Sequence, residues 1–123
     1  MFRVIIAGTR DFTDYELLKS YCDYMLSKKV EGGEEIVVLS GGASGADALG
    51  EQYAKERGYN LLHFPAQWDK YGRQAGPIRN REMAENADAL IAYWDGKSRG
   101  TKNMIEEAKK RGLMVAVKNY KAC

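Results

Sequence analysis

Glycines, hydroxyls and arginines gather at four places along the chain, and each grouping is of a kind that holds an anion. The first reads Gly8-Thr9-Arg10-Asp11-Phe12. Thr9 and the backbone N–H groups offer hydrogen bonds to a phosphate, and Arg10 offers a fixed cation with a planar donor fork. The second reads Ser40-Gly41-Gly42-Ala43-Ser44-Gly45-Ala46-Asp47. Paired glycines let backbone approach an anion, and a helix opening after them adds free N–H groups and a positive dipole end. It is neither a G-x-G-x-x-G fingerprint nor a P-loop, because no G-K-[ST] follows. Asp47 either complements the helix dipole or accepts ribose hydroxyls. The third is a connection of about twelve residues, 65–77, long for such a link. It carries Trp68 and Tyr71 and runs through Pro77, a natural first-turn residue, into Arg79-Asn80-Arg81. That suits a lid over a flat anionic ligand, with Trp68 or Tyr71 stacking and an arginine on phosphate. The fourth reads Asp95-Gly96-Lys97-Ser98-Arg99-Gly100-Thr101. Gly100-Thr101 opens a further helix N-terminus, and Ser98 and Thr101 supply hydroxyls.

Each segment alone has a plainer reading as a turn, a cap or a close packing point. Their combination favours a ligand that carries phosphate. The carboxylates available for catalysis are Asp47, Asp95 and Glu106, although Glu106 and Glu107 also fit a solvated helix face beside Lys109, Lys110 and Arg111. The single histidine, His63, lies in an apolar run without a Ser or Cys partner in any motif and reads as structural. The two cysteines, Cys22 and Cys123, form neither a disulfide framework nor a metal cluster, so no metal is expected and a reducing cytoplasm fits. No run approaches the ~18 apolar residues of a membrane span, and the N-terminal run is too short for a signal peptide. With 19 basic and 17 acidic residues, the net charge of +2 does not by itself imply nucleic acid.

The elements that must position these segments follow from the apolar runs at 4–7, 36–39, 61–64, 89–94 and 113–117. Each is continuous rather than alternating, which predicts strands buried on both faces of a parallel sheet. Helical spacing fills the intervals 14–29, 46–57, 78–86 and 101–111, with Thr13 or Asp14 capping the first and Gly58 and Gly112 stopping two others. The fold class is α/β: a single domain over residues 1–123, with right-handed βα crossovers and helices on both faces. By analogy with nucleotide-binding sheets the strand order is 3-2-1-4-5. The loops after strands one, two and four then meet in one crevice at the carboxyl edge. Eight of the 13 glycines fall in the four segments and are expected to line it.

Taken in order, the four segments resemble the SLOG superfamily, which includes DprA (SMF) and the LOG phosphoribohydrolases, and within it the short YspA-like proteins. The resemblance spans residues 4–117. It implies a Rossmann-like fold that binds nucleotides or nucleotide-derived ligands at these loops. The segment 40–47 is similar to the DprA phosphate loop, Arg79-Asn80-Arg81 to the R-N-R element, and Gly100-Thr101 to the second glycine-rich turn of LOG proteins. The chain departs from LOG hydrolases, which carry P-G-G-x-G-T-x-x-E: here the double glycine is missing and Met104 stands in place of the glutamate. The leading expectation is therefore a sensor, carrier or sequestering module for a nucleotide. N-glycosidic hydrolysis of nucleoside monophosphates is the alternative, and single-stranded nucleic-acid binding through Trp68 and Tyr71 is a third reading. The resemblance also implies a homo-oligomer, for which Tyr15, Tyr21, Tyr24 and Tyr53 offer contact surface.

Overall fold

A computed structural model describes residues 1–120. Five strands, β1 (Phe2–Gly8), β2 (Ile36–Ser40), β3 (Asn60–His63), β4 (Ala89–Trp94) and β5 (Met114–Asn119), form one parallel sheet in the order β3-β2-β1-β4-β5. The helices are α1 (Tyr15–Glu31), α2 (Ala46–Arg57), α3 (Trp68–Tyr71), α4 (Ala75–Glu85) and α5 (Arg99–Lys110). This is the Rossmann-like α/β arrangement and strand order that the sequence predicts.

Alternation along the strands sorts the core into two layers. Val4 and Ile6 face α1 and α2, where they meet Leu18, Cys22, Leu26 and Tyr53. Ile5 and Ala7 face α4 and α5, where they meet Met83, Met104, Ile105 and Ala108. The central strands β1, β2 and β4 are buried on both faces, as a continuous apolar run requires. The outer strands differ from the expectation: β3 is largely exposed and β5 half-buried. Each has a neighbour on one side only, and the helices stack over the middle of the sheet.

Local chemistry sets the helix ends. The Asp14 carboxylate accepts from the N–H of Leu17 at 3.1 Å, and Gly58 closes α2 in the left-handed conformation at φ 73°. Two starts move from their predicted places. Helix α5 begins at Arg99 because the Ser98 hydroxyl accepts from the N–H of Thr101 at 3.3 Å. Helix α4 begins at Ala75, and Pro77 sits within its first turn, where a missing N–H is harmless. The long 65–77 connection is thus mostly helical, through α3 and a 3₁₀ turn over Gly72–Gln74.

Of the four tyrosines expected at a subunit contact, Tyr24 alone is exposed; half-buried Tyr15 donates to Glu56 and buried Tyr53 to Asp23, each at 2.6 Å. Tyr21 packs edge-on against Tyr93. Burial pushes the Cys22 thiol up to about 12, which makes it unreactive at neutral pH. Cys123 lies outside the described residues. Among the described residues no helix is long and apolar enough to cross a membrane.

Candidate functional site

The strand order reverses between β1 and β4, and a crevice of about 320 Å³ opens there at the carboxyl edge. Ligands of open α/β sheets bind at such a switch point. Ala7 and Gly8 at the end of β1 form part of its lining, with Met83 and Met104 from the helices on that face. The α5 terminus contributes Ser98, Gly100 and Thr101. A second chamber of about 380 Å³ is lined by Gly41, Gly42, Ser44, Pro65 and Ala66. Arg10, Ala43, Trp68 and Arg79 line both, so they form the shared wall.

Helix α4 reaches this wall through Arg79 and Asn80. One Arg79 nitrogen donates to the carbonyl of Gly41 at 2.7 Å and to that of Phe64 at 3.4 Å. Its Nε donates to Oδ1 of Asn80 at 3.1 Å. Asn80 is buried and donates to Oδ1 of Asn103 at 2.9 Å and to the Gly100 carbonyl at 3.3 Å, which joins α4 to the start of α5. Arg79 therefore clamps the glycine-rich loop as well as charging the crevice. Burial lowers the affinity of its guanidinium for a proton, and nearby Asp47 opposes that shift. Arg10 is exposed, and among the described residues it makes no ion pair.

Asp47 sits in the first turn of α2 with 6% of its surface exposed. Burial raises its carboxyl above the ordinary value; the N–H groups of Ala43 and Gly8 and the Arg79 charge pull the other way. It is the one candidate carboxylate that lines the crevice. Asp95 instead accepts from the N–H groups of Lys97 and Ser98 at 2.8 and 2.9 Å, which hold its carboxyl below the usual range and shape the loop. Glu106 is exposed on α5, away from the lining.

Other predicted residues stand behind the site. Thr9 is buried and accepts from the N–H of Asp95 at 3.2 Å, tying the first loop to the fourth. Ser40 is buried and bonded to Glu51. Gly45 packs on the carbonyls of Thr9 and Arg10, leaving no room for a Cβ at its φ of 72°. Arg81 is exposed on α4 and faces away, because two residues turn a helix by about 200°. Gly72 and Gly96 line neither chamber, whereas Gly76 lies under the Trp68 ring and lines the first. Sequence reasoning passed over Asn103, whose amide faces Asn80 one helix away, and Glu51. Their only signal was polarity at helical positions that the fold turns inward.

The fold and the sequence have counterparts. A family model for the YspA, cpYpsA-related SLOG family matches residues 2–71. The Gene 61 protein of Mycobacterium phage D29 is 35% identical over 122 residues, covering 94% of each chain. Among solved structures, DNA processing protein A from Streptococcus pneumoniae superimposes with a TM-score of 0.68 at 17% identity, over 94% of this chain and 49% of that one. DNA processing protein A from Helicobacter pylori, described for its single-stranded DNA binding mode, gives 0.63 at 21% identity, over 94% and 64%. The structural-genomics target TM1055 gives 0.65 at 21% identity, over 94% and 72%. The structural neighbours share the fold; the family match and the phage relative go further, and by them this chain belongs to the YspA, cpYpsA-related SLOG family.

Proposed function

We propose that the paired chambers bind a nucleotide or nucleotide-derived phosphate ligand, as a sensor, carrier or sequestering module. The observation that carries this reading is the shared wall, where Arg10, Arg79 and the Trp68 ring converge beside Asp47. Trp68 is 52% exposed, so its ring is available to stack on a base. Arg10 meets the phosphate, helped by the N–H groups of Arg99 and Gly100, which have no partner within α5. Asp47 accepts ribose hydroxyls.

Isothermal titration against a panel of nucleoside mono- and diphosphates tests the proposal. Binding by the wild type is expected, weakened about 10- to 100-fold by Arg10→Ala, the size of a lost charged hydrogen bond. No binding across the panel, or full binding by the variant, overturns it.

Two further readings keep a specific observation each. Phosphoribohydrolase activity rests on Asp47, the buried carboxylate in the crevice. Release of free base from a nucleoside monophosphate, abolished by Asp47→Asn, is its test. Single-stranded nucleic-acid binding rests on exposed Trp68 and Tyr71 and on the Helicobacter pylori neighbour. It requires oligonucleotide affinity that falls steeply with salt.

A further inference from the structure

The Ser40 hydroxyl donates to Oε2 of Glu51 at 2.7 Å and accepts from the N–H of Gly42 at 3.1 Å. The other Glu51 oxygen, Oε1, lies 3.1 Å from Nε2 of His63. A continuous chain of hydrogen-bonding groups therefore runs from an imidazole at one end to the glycine-rich loop at the other. The backbone closes it into a ring. Ser40 and His63 are register partners in β2 and β3, and the N–H of Phe64 donates to the Ser40 carbonyl at 2.8 Å. Arg79 then bonds the carbonyls of both Gly41 and Phe64. A shift at Ser40 is felt at the loop and at the arginine of the shared wall.

His63 is the chain's single histidine, the side-chain type whose ordinary pKa lies in the neutral range. Its side chain is 55% exposed and that of Glu51 21%, so the imidazole end of the chain faces solvent while the carboxylate is sheltered. The charged groups around them are Glu51 and Lys55 on α2, Asp47 one turn earlier on the same helix, and Arg79 on α4 beyond the loop. Burial alone would raise the Glu51 carboxyl; the hydrogen bonds from Ser40 and His63 and the charges of His63 and Lys55 hold it below its ordinary value. Glu51 is thus an anion at neutral pH.

We propose that His63, Glu51 and Ser40 form a proton-linked latch on the glycine-rich loop, so that the loop binds anions more tightly when His63 is protonated. This rests on the anion-binding reading above. A proton taken from solvent at His63 draws Glu51 Oε1 to the imidazolium and leaves Oε2 on the Ser40 hydroxyl. The Ser40 lone pair then faces the N–H of Gly42, and the loop is fixed. Loss of that proton leaves the Glu51 charge beside Asp47 offset by Lys55 alone and raises the negative potential at the loop. Both effects run the same way. By linkage, an anion in the loop raises the proton affinity of His63 by the factor by which protonation raises the affinity for the anion.

Solution NMR on the full chain from about pH 5.5 to 8, which brackets an ordinary histidine, tests the latch without any ligand. The Gly42 amide is expected to titrate with the midpoint of the His63 ring. In Glu51→Gln the ring still titrates and the Gly42 amide becomes flat, while core amides such as Ile5 report an intact fold. A Gly42 amide indifferent to pH while His63 titrates, or one that still follows His63 in Glu51→Gln, overturns the latch. Inorganic sulfate, a dianion throughout that range, probes the linkage. It should bind about threefold tighter at the acid end, the size of a screened charge interaction, and show no such pH dependence in His63→Gln. Equal wild-type affinity at both ends overturns the linkage, and absence of sulfate binding overturns the anion site together with the reading it rests on. The ligand-free titration is independent of both, so the latch and the binding function fail by different results.

Discussion

Asp47 is a carboxylate in a crevice otherwise suited to anions. Its side chain accepts from backbone N–H groups of the first and second loops, donors that a phosphate in that place would compete for. On the proposed reading a phosphate would therefore sit on the Arg10 side of the wall, and Asp47 would be left to meet hydroxyls. Gly41 shows how little slack the site has. A Cβ there would collide with the Arg79 guanidinium and come within 3.0 Å of an Asp47 oxygen. Gly41→Ala should therefore displace Arg79 and weaken nucleotide binding about tenfold or more, the scale of a charged hydrogen bond. Titration calorimetry beside a thermal melt checks this: affinity should fall while the protein still melts cooperatively.

The elements matter through their ends. Helix α5 begins at the crevice, and the Ser98 hydroxyl caps it while also lying 3.1 Å from the Thr101 hydroxyl. Ser98→Ala removes the cap at a cost of about 1 kcal/mol. The melting temperature should drop by about 4 °C. Nucleotide affinity should fall as well, because the N–H groups of Arg99 and Gly100 lose their fixed direction. At the packing face of α2, a Cβ on Gly50 would lie 2.6 Å from Cγ2 of Ile6 in the central strand. The helix rides close on the sheet there. Gly50→Ala should cost about 1–3 kcal/mol by overpacking, read from denaturant midpoints.

On the scale of the molecule, stability is greatest at the middle of the sheet and least over the site. Strand β1 pairs on both sides and packs on both faces, whereas α3 has no buried residue and, with the 3₁₀ turn, packs chiefly on α4. Hydrogen exchange should show β1 amides opening only with global unfolding and residues 67–74 exchanging first, with ligand slowing the latter. The sequence by itself determined the α/β class and the location of the phosphate-type segments, because continuous apolar runs and loop glycines are local signals of burial and turn. It also placed Arg10, Asp47, Trp68 and Arg79 at one sheet edge, because the carboxyl ends of parallel strands share that edge. Only the tertiary structure decided which of those residues line the chambers. Arg81 and Glu106 were turned outward by helix phase, while Thr9 was taken up by the bond that ties the first loop to the fourth, Ser40 by Glu51 of α2, and the Asp95 carboxylate by N–H groups of its own loop. The expected strand order already put β3 and β5 at the edges, but their exposure could not be read from runs as apolar as the central ones. The union of Ser40, Glu51 and His63 was equally hidden, because three separate elements must pack before those side chains meet.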